Sequence, residues 1–426
     1  MKILILGSGG REHTLAWKFS QSSHCERLLV APGNAGTAGI AENIDLDIMD
    51  FGAVKKTVQQ YHIDFVVVGP EAPLVGGIVD YFKKDAELRG VAILGPDQAA
   101  AQLEGSKSFA KSFMIRHGIP TAGYLEVTAD NIQEGIDYLS SLSAPYVLKA
   151  DGLAAGKGVL IIDDLEEARQ ELRAMLEGKF GEASQKVVIE EFLDGIEFSV
   201  FVLTDGQKYI LLPEAKDYKR IGEGDTGLNT GGMGSVSPVT FFEGSFRDKV
   251  IERIVEPTIA GIQKDNLHYT GFIFFGLIKV GGEPFVIEYN CRMGDPETQS
   301  VIPRIKDDLL ELSFDAAQHR LTPGQLDIVP KTACTVVTVA GGYPGSYEKG
   351  AKIEGLNMVV DQVFHAGTRR SQEDIVTSGG RVLAVTALDE KPASAMQKAR
   401  EGAALIRYEG IYFRNDIGQD LLKLEE

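Results

Sequence analysis

The chain opens on Lys2-Ile-Leu-Ile-Leu6, a short apolar run that breaks at Gly7-Ser-Gly-Gly-Arg-Glu-His13. No other junction constrains the fold as much. An apolar run without alternation is a strand buried on both faces, and such strands occur in parallel sheets covered by helices. Similar runs at Arg27 to Ala31, Phe65 to Val68 and Ala92 to Leu94 predict further strands, with helices to about Gln21 and over Phe51 to Tyr61 and Gly76 to Glu87. Alternating strands and helices make a Rossmann-like parallel sheet with its ligand loops at the strand ends. Those loops are Gly7 to His13, Pro32-Gly-Asn-Ala-Gly-Thr37 and Gly69-Pro-Glu-Ala-Pro-Leu74. A glycine turn feeding a helix N-terminus favours an anion. A dinucleotide site is disfavoured, because the third fingerprint glycine falls at Glu12 and no acid closes the second strand. Turn glycines explain part of this pattern; three such loops at one sheet edge favour a small anionic ligand.

Overall charge narrows the partners. A formal charge of −18 and a pI near 4.9 argue against nucleic acid or an anionic membrane surface. An anionic substrate must then meet a local cluster of Lys and Arg. Cys25, Cys291 and Cys334 are odd in number and far apart, which suggests neither a disulfide framework nor a zinc site. A cytoplasmic setting is expected, with no run long enough to span a membrane. The 426 residues suffice for about three domains.

Basic and glycine-rich motifs follow. Ser106 is placed to cap a helix from Lys107 to His117. Tyr146 to Lys149 and Val159 to Ile162 predict a hairpin whose tip, Ala150-Asp-Gly-Leu-Ala-Ala-Gly-Lys-Gly158, is small and flexible. With Lys149 and Lys157 it suits a phosphate lid, in which Gly156 and Gly158 let the backbone approach the anion. It is not a Walker A loop, since Lys157 is followed by Gly158 rather than Ser or Thr. An ordinary exposed turn is the alternative. A strand over Val187 to Leu193 ends in Glu190 and Glu191, and Glu197 follows. Such a connector offers backbone to an adenine edge and a carboxylate to ribose. Lys216-Asp-Tyr-Lys-Arg220 and the glycine and hydroxyl stretch Thr226 to Ser235 predict a mobile, substrate-facing loop.

Near the end of the central region, Phe285 to Ile287 predicts a strand on which Glu288 and Asn290 share one side. A carboxylate and an amide oxygen are hard ligands that suit magnesium. Arg292, Asp295 and Glu297 crowd behind them, and the forked guanidinium matches a carboxylate or phosphate. A strand running into a polar surface loop is the alternative. A linker over Leu321 to Pro330 precedes a small α+β unit, with a helix expected over Pro392 to Ile406. Its His365 and Arg381 would reach a substrate phosphate, or serve as a core histidine and a hairpin cap.

This order of parts resembles the ATP-grasp ligases through Lys107, Lys149, the Gly152 to Gly158 loop, Glu190 to Leu193, Glu197, and Glu288 with Asn290. Within that superfamily nearly the whole chain resembles the glycinamide ribonucleotide synthetase family. The matches are Gly7 to His13, Pro32 to Gly36, Gly69 to Leu74, Lys149 to Gly158, Asn229-Thr-Gly-Gly-Met-Gly234 and above all Arg292-Met-Gly-Asp-Pro-Glu-Thr-Gln299. The resemblance implies an α/β and α+β multidomain fold: a Rossmann-like N-terminal domain over 1–103, an ATP-grasp domain over 104–326 with a mobile lid near 121–190, and a C-terminal α+β domain over 327–426. It implies ATP-dependent ligation of glycine to 5-phosphoribosylamine through glycyl phosphate, with Mg or Mn, by a monomer.

Carried over by position, Lys107, Lys149, Gly156, Lys157 and Gly158 would meet phosphate. Glu190, Glu191 and Leu193 would meet adenine, and Glu197 ribose. Glu288 and Asn290 would hold the metal. Arg292, Asp295, Asp217 and Lys219 would act on the reacting groups, and Gly9, Gly10, Arg11, Asn34, Glu71, Arg220, Gly232 and Arg381 would bind substrate. Two departures stand out: the strand Gly271 to Val280 lacks the acidic metal ligand that many ATP-grasp enzymes supply there, so a second metal would lean on Glu288 and phosphate; and in the substrate loop Tyr218 replaces a more usual histidine and Leu228 a frequent proline. The remaining alternatives are another ATP-grasp ligase, a Rossmann oxidoreductase and a nucleotide-binding regulator.

Overall fold

The computed structural model describes residues 1–153 and 158–424. Five parallel strands, Lys2–Gly7, Arg27–Pro32, Glu42–Asn43, Phe65–Val68 and Ala92–Leu94, form the N-terminal sheet in the order 3-2-1-4-5. Ile3 to Leu6 are wholly buried, as an unalternating run requires. The order reverses between the first and fourth strands, so the loops after them part and leave a crevice. One expectation fails here. The helix predicted over Gly76 to Glu87 is shorter, Ile78–Lys84, starting after Gly77 with its left-handed φ of 86°, and a separate short helix, Glu71–Val75, forms where a loop was expected. Glu71 therefore stands in the first turn of a helix at the crevice, rather than in a loop.

The central region has two antiparallel sheets. The larger joins Tyr209–Leu211, Ile196–Thr204, Gly271–Val280 and Glu283–Asn290. The smaller joins Tyr124–Val127, Val187–Glu190, Tyr146–Ala150 and Val159–Ile162. Helices Ile132–Ser141 and Leu165–Leu176 cover the smaller sheet and share with it a separate hydrophobic core around Leu139, Leu148 and Leu172. A unit with its own core can move as a body. The predicted hairpin is present, but Gly156 and Lys157 at its tip lie outside the described residues.

The C-terminal sheet holds a topological surprise. Its order is Lys216–Asp217, Gly234–Ser237, Thr332–Val339, Arg381–Asp389, Gln362–His365. Its first two strands come from before the linker. Gly234–Ser237 is fully buried and pairs with Gly234 opposite Val336 and Ser237 opposite Ala333, so this end of the expected mobile loop is a fixed interior strand. Helix Pro392–Leu405 covers the sheet.

One junction of the N- and C-terminal domains is the backbone of His365. The His365 N–H donates to Nδ1 of His13 at 2.7 Å, while the Asn34 amide donates to the His365 carbonyl at 2.8 Å. Both His rings are buried, 5.6 Å apart, with Phe364 edge-on to His13. Burial first, and a positive neighbour second, lower His13 from 6.5 to about 3 and His365 to about 4. The unfolded chain takes up these protons below pH 6.5, whereas the fold resists them until pH 3 to 4. The stabilisation is therefore present above pH 6.5 and is lost as pH falls through that window. His13→Gln, whose amide oxygen still accepts from His365, should show a shallower fall of melting temperature from pH 6.5 to 4. Equal slopes in both proteins would exclude this pair as the acid-sensitive contact.

Candidate active site

Cations gather first. Ser106 caps helix Lys107–Arg116 by accepting from the Phe109 N–H at 3.1 Å, which sets Lys107 in its first turn. Lys149 lies on the neighbouring strand, and its ammonium sits 2.9 Å from Oε2 of Glu190. That same oxygen is 3.1 Å from Nζ of Lys111, a residue the sequence reading passed over. Within a helix Lys111 reads as a solvated charge, yet it is 1 % exposed. The available signal was its i,i+4 relation to Lys107, which puts both on one face. Burial, aided by Lys149 and opposed by Glu190, brings Lys111 down to about 8. Burial alone would raise the Glu190 carboxyl, but the two ammoniums outweigh it and hold it below its ordinary range. Burial likewise lowers Lys107, against the attraction of Glu288.

Beyond Glu190 the chain leaves the sheet. The Glu191 N–H donates to the Gly123 carbonyl at 2.8 Å, leaving Glu191 and Phe192 exposed and Leu193 half-buried. Glu197 begins the next strand and pairs with Lys219 at 2.8 Å. Gly158 accepts from the Ala150 N–H at the base of the hairpin.

Strand Glu283–Asn290 carries the oxygen ligands. Its pairing with Gly271–Val280 slips between Gly276 and Leu277, and beyond the slip Glu288 lies opposite Gly276 and Asn290 opposite Phe274. Gly276 accommodates the Glu288 side chain, since a Cβ there would lie 3.0 Å from its Cγ. Glu288 acts electrostatically on Lys107, Lys219, Asp217 and Arg292, so all four face it. Among the described residues no donor hydrogen-bonds to its carboxylate. The Asn290 oxygen accepts from Arg292 at 2.9 Å. Arg292 is itself held, 2.6 Å from Glu104 and 3.4 Å from Glu71. Glu104, also missed in the sequence, accepts from the Cys291 N–H at 2.7 Å and so anchors the strand end twice.

Asp295 is the junction of the substrate side. It accepts from Gln299 at 2.8 Å and from the Arg11 N–H at 3.3 Å, and lies 3.5 Å from Arg381. Burial would raise its carboxyl, but Arg381 and Arg11 outweigh burial and lower it. Arg381 also donates to the carbonyls of Gly231 and Asp295, which makes it the strut between the Thr226 to Ser235 loop and the Asp295 segment rather than a free cation. Gly232 has φ 115°, and a Cβ there would lie 2.4 Å from Pro296. Glu12 explains the missing fingerprint glycine. Its carboxylate accepts from the Gly9 N–H and from Arg11, and packs where side chains on Gly7 or Gly69 would stand. It thus holds the Gly7 to Gly9 turn and the Gly69 loop in place. The Asn34 amide is spent on Ser8, His365, Gly36 and Thr37, so it fixes its loop against the first glycine turn and the C-terminal sheet.

Strand alternation splits the Lys216 to Arg220 segment. Tyr218 donates to Asp420 and lies under the Lys216 ammonium, turned to the short helix Gln419–Lys423, while Asp217 and Lys219 lie toward Glu288. Tyr218 is therefore a packing residue. Arg220 donates to the Gly227 carbonyl at 2.9 Å and braces the loop. Burial would lower Lys219, but Glu197, Asp217 and Glu288 keep it well above its ordinary value. Burial and Asp217 push Glu297 up to about 8. Chemically, the lysines of such an arrangement can bind a polyanion and its acids can hold a cation. Glu104→Ala would take from Arg292 the nearer of its two acids and leave the Cys291 N–H without its acceptor, at a cost of about 1–3 kcal/mol, read as a lower denaturant midpoint; an unchanged midpoint would show that Glu104 anchors nothing.

Three family models match the chain in order: the phosphoribosylglycinamide synthetase N domain over residues 1–104, its ATP-grasp (A) domain over 105–298 and its C domain over 333–420. The phosphoribosylamine–glycine ligase of Vibrio vulnificus is 46% identical over 433 residues, covering 100% of both chains. That of Salmonella typhimurium is also 46% identical, with 100% of each covered. Among solved structures, the phosphoribosylamine–glycine ligase of Thermotoga maritima superposes with a TM-score of 0.84 at 34% identity, covering 98% of this chain and 100% of that one. A biotin carboxylase from Campylobacter jejuni, at 15% identity and a TM-score of 0.72, shares the fold over 100% of this chain and 95% of that one.

Proposed function

The chain belongs to the phosphoribosylglycinamide synthetase family, and on that premise we propose how its residues divide the work. It is an ATP-dependent carbon–nitrogen ligase that joins glycine to 5-phosphoribosylamine, forming glycinamide ribonucleotide in purine biosynthesis. The observation that carries the assignment of its site is Glu288, whose carboxylate has no hydrogen-bond donor among the described residues and acts electrostatically on Lys107, Lys219, Arg292 and Asp217.

Lys107 and Lys149 take the nucleotide phosphates, a role that Gly156, Lys157 and Gly158 share by their place in the sequence motif. The backbone from Glu190 through Glu191 to Leu193 meets adenine, and Glu197 the ribose. Glu288 and Asn290 fit magnesium or manganese: both are hard oxygen donors, and one carboxylate with one amide leaves positions for phosphate oxygens. Such an ion, when bound, would neutralise phosphate charge. Among the described residues the one trio of His, Cys, Asp or Glu close enough to share an ion is His24, Asp308 and Glu311; the Glu288 site thus lacks a cage of its own, as a metal arriving with a nucleotide requires.

A carboxylate oxygen must become a leaving group before an amine can displace it. Glycine accepts the γ-phosphoryl group, and the amine of phosphoribosylamine then attacks the acyl carbon and expels phosphate. Lys107, Lys219 and Arg292 balance the charge of the first transfer by position alone. The ribosylamine lies toward Asp295, Arg11, Arg381, Gly232 and the loops of Gly9, Gly10, Asn34 and Glu71, and Asp217 with Lys219 and Arg220 closes over it. We further propose a monomer working in the cytoplasm. In support, Cys25, Cys291 and Cys334 are all free thiols, and among the described residues no helix is long and apolar enough to cross a membrane.

Carboxyl-labelled oxygen-18 glycine should place one label in inorganic phosphate during turnover with ATP and phosphoribosylamine. Label in AMP, or none in phosphate, would overturn the acyl-phosphate route. Glu288→Gln should keep the fold and lose turnover roughly a hundredfold, the equivalent of ~3 kcal/mol. ADP formation measured against magnesium concentration checks this, and wild-type activity at low magnesium would remove Glu288 from the metal site.

A further inference from the structure

Lys111 belongs to none of the roles above, yet it is among the most deeply buried charges in the chain. Its ammonium is fixed from three sides: by Oε2 of Glu190 at 3.1 Å, Thr121 Oγ1 at 2.7 Å and the Ala122 carbonyl at 3.3 Å. Thr121 in turn donates to the Val286 carbonyl at 2.7 Å, on the strand that carries Glu288. Lys149 approaches the same Glu190 oxygen at 2.9 Å from another strand. Two buried cations thus share one acid. Repulsion between the cations opposes that arrangement, and a single lysine would already neutralise Glu190.

The second cation has a use if the first must leave. When a nucleotide enters, Lys149 turns from Glu190 toward phosphate. With no other partner, Glu190 would be stranded as an unpaired buried charge, and that penalty would be subtracted from nucleotide affinity. We infer that Lys111 is a positioning residue that keeps Glu190 neutralised while Lys149 exchanges the acid for nucleotide phosphate. Lys111 touches neither ATP nor the reacting atoms. Its hydrogen bonds to Thr121 and Ala122 keep it in place through the exchange. The inference rests on the assignment of Lys149 to the phosphate site made above.

ATP affinity is measured by calorimetry on the full chain, with kcat and KM for ATP alongside. Lys111→Met should raise the Kd and KM for ATP roughly tenfold, since Lys149 becomes the sole partner of Glu190, while kcat at saturating ATP falls much less. Lys111→Gln keeps an amide within reach of Thr121 and Ala122 but loses the charge, and it should behave the same; it also serves if the Met variant does not fold. In a Glu190→Gln background, where no acid is left to strand, Lys111→Met should leave ATP affinity unchanged. Wild-type affinity in Lys111→Gln, or an undiminished loss in the Glu190→Gln background, would overturn the inference and leave Lys111 a structural contact. Lys149→Met separates the two readings. If it leaves ATP affinity intact, the assignment of Lys149 fails; if it weakens ATP while both Lys111 variants bind normally, the inference about Lys111 alone fails.

Discussion

Asp295 is the contact on which the closed arrangement depends. It receives the Arg11 N–H from the first helix, Gln299 from its own helix and the charge of Arg381 from the C-terminal sheet, so one carboxylate joins three parts of the chain. Removing its charge would leave Arg381 and Arg11 with less to hold them, and the crevice between the N-terminal loops and the central sheet would lose its wall. The backbone of His365, gripped by His13 and Asn34, makes the same closure from the other side. These contacts bring glycine-rich loops from distant positions to one place.

Charge in the site is arranged in shared groups rather than pairs. Glu190 serves Lys149 and Lys111, Arg292 serves Glu104 and Glu71, and Lys219 answers Glu197, Asp217 and Glu288. In a half-buried crevice an unpaired charge is expensive, but one with two partners can lose one and stay compensated. That suits a site that must admit a polyanion and later release it. The chain's overall negative charge says nothing of this, because the cations that matter number only a few and are gathered locally.

Much of the framework was legible. Strands Phe65–Val68 and Ala92–Leu94, helix Phe51–Tyr61 and the cap at Ser106 followed from runs and spacing, since local pattern and burial agree there. Elements failed where a distant partner decided. Gly234–Ser237 looked like loop because glycine and hydroxyl residues have weak strand preference; pairing with Thr332–Val339, a hundred residues on, made it an interior strand. Gly77 delays the start of the helix expected from Gly76, and the segment before it, expected as loop, makes the short helix Glu71–Val75. Lys111 and Glu104 were invisible because a lysine or glutamate inside a helix is ordinarily solvated, and only packing buries it.

By itself the sequence determined the parallel N-terminal sheet, the hairpin with its small tip, and the alternation that puts Glu288 and Asn290 on one side of their strand, because each follows from a repeat of two or 3.6 residues within one segment. Tertiary structure alone decided which charges meet. Whether Arg292 would face Glu104, whether Tyr218 would turn to Asp420 instead of toward Glu288, and whether Lys149 would share Glu190 with Lys111 depended on elements dozens to hundreds of residues apart. A side chain's charge state and partners are set by what the fold packs around it, and no local periodicity carries that information.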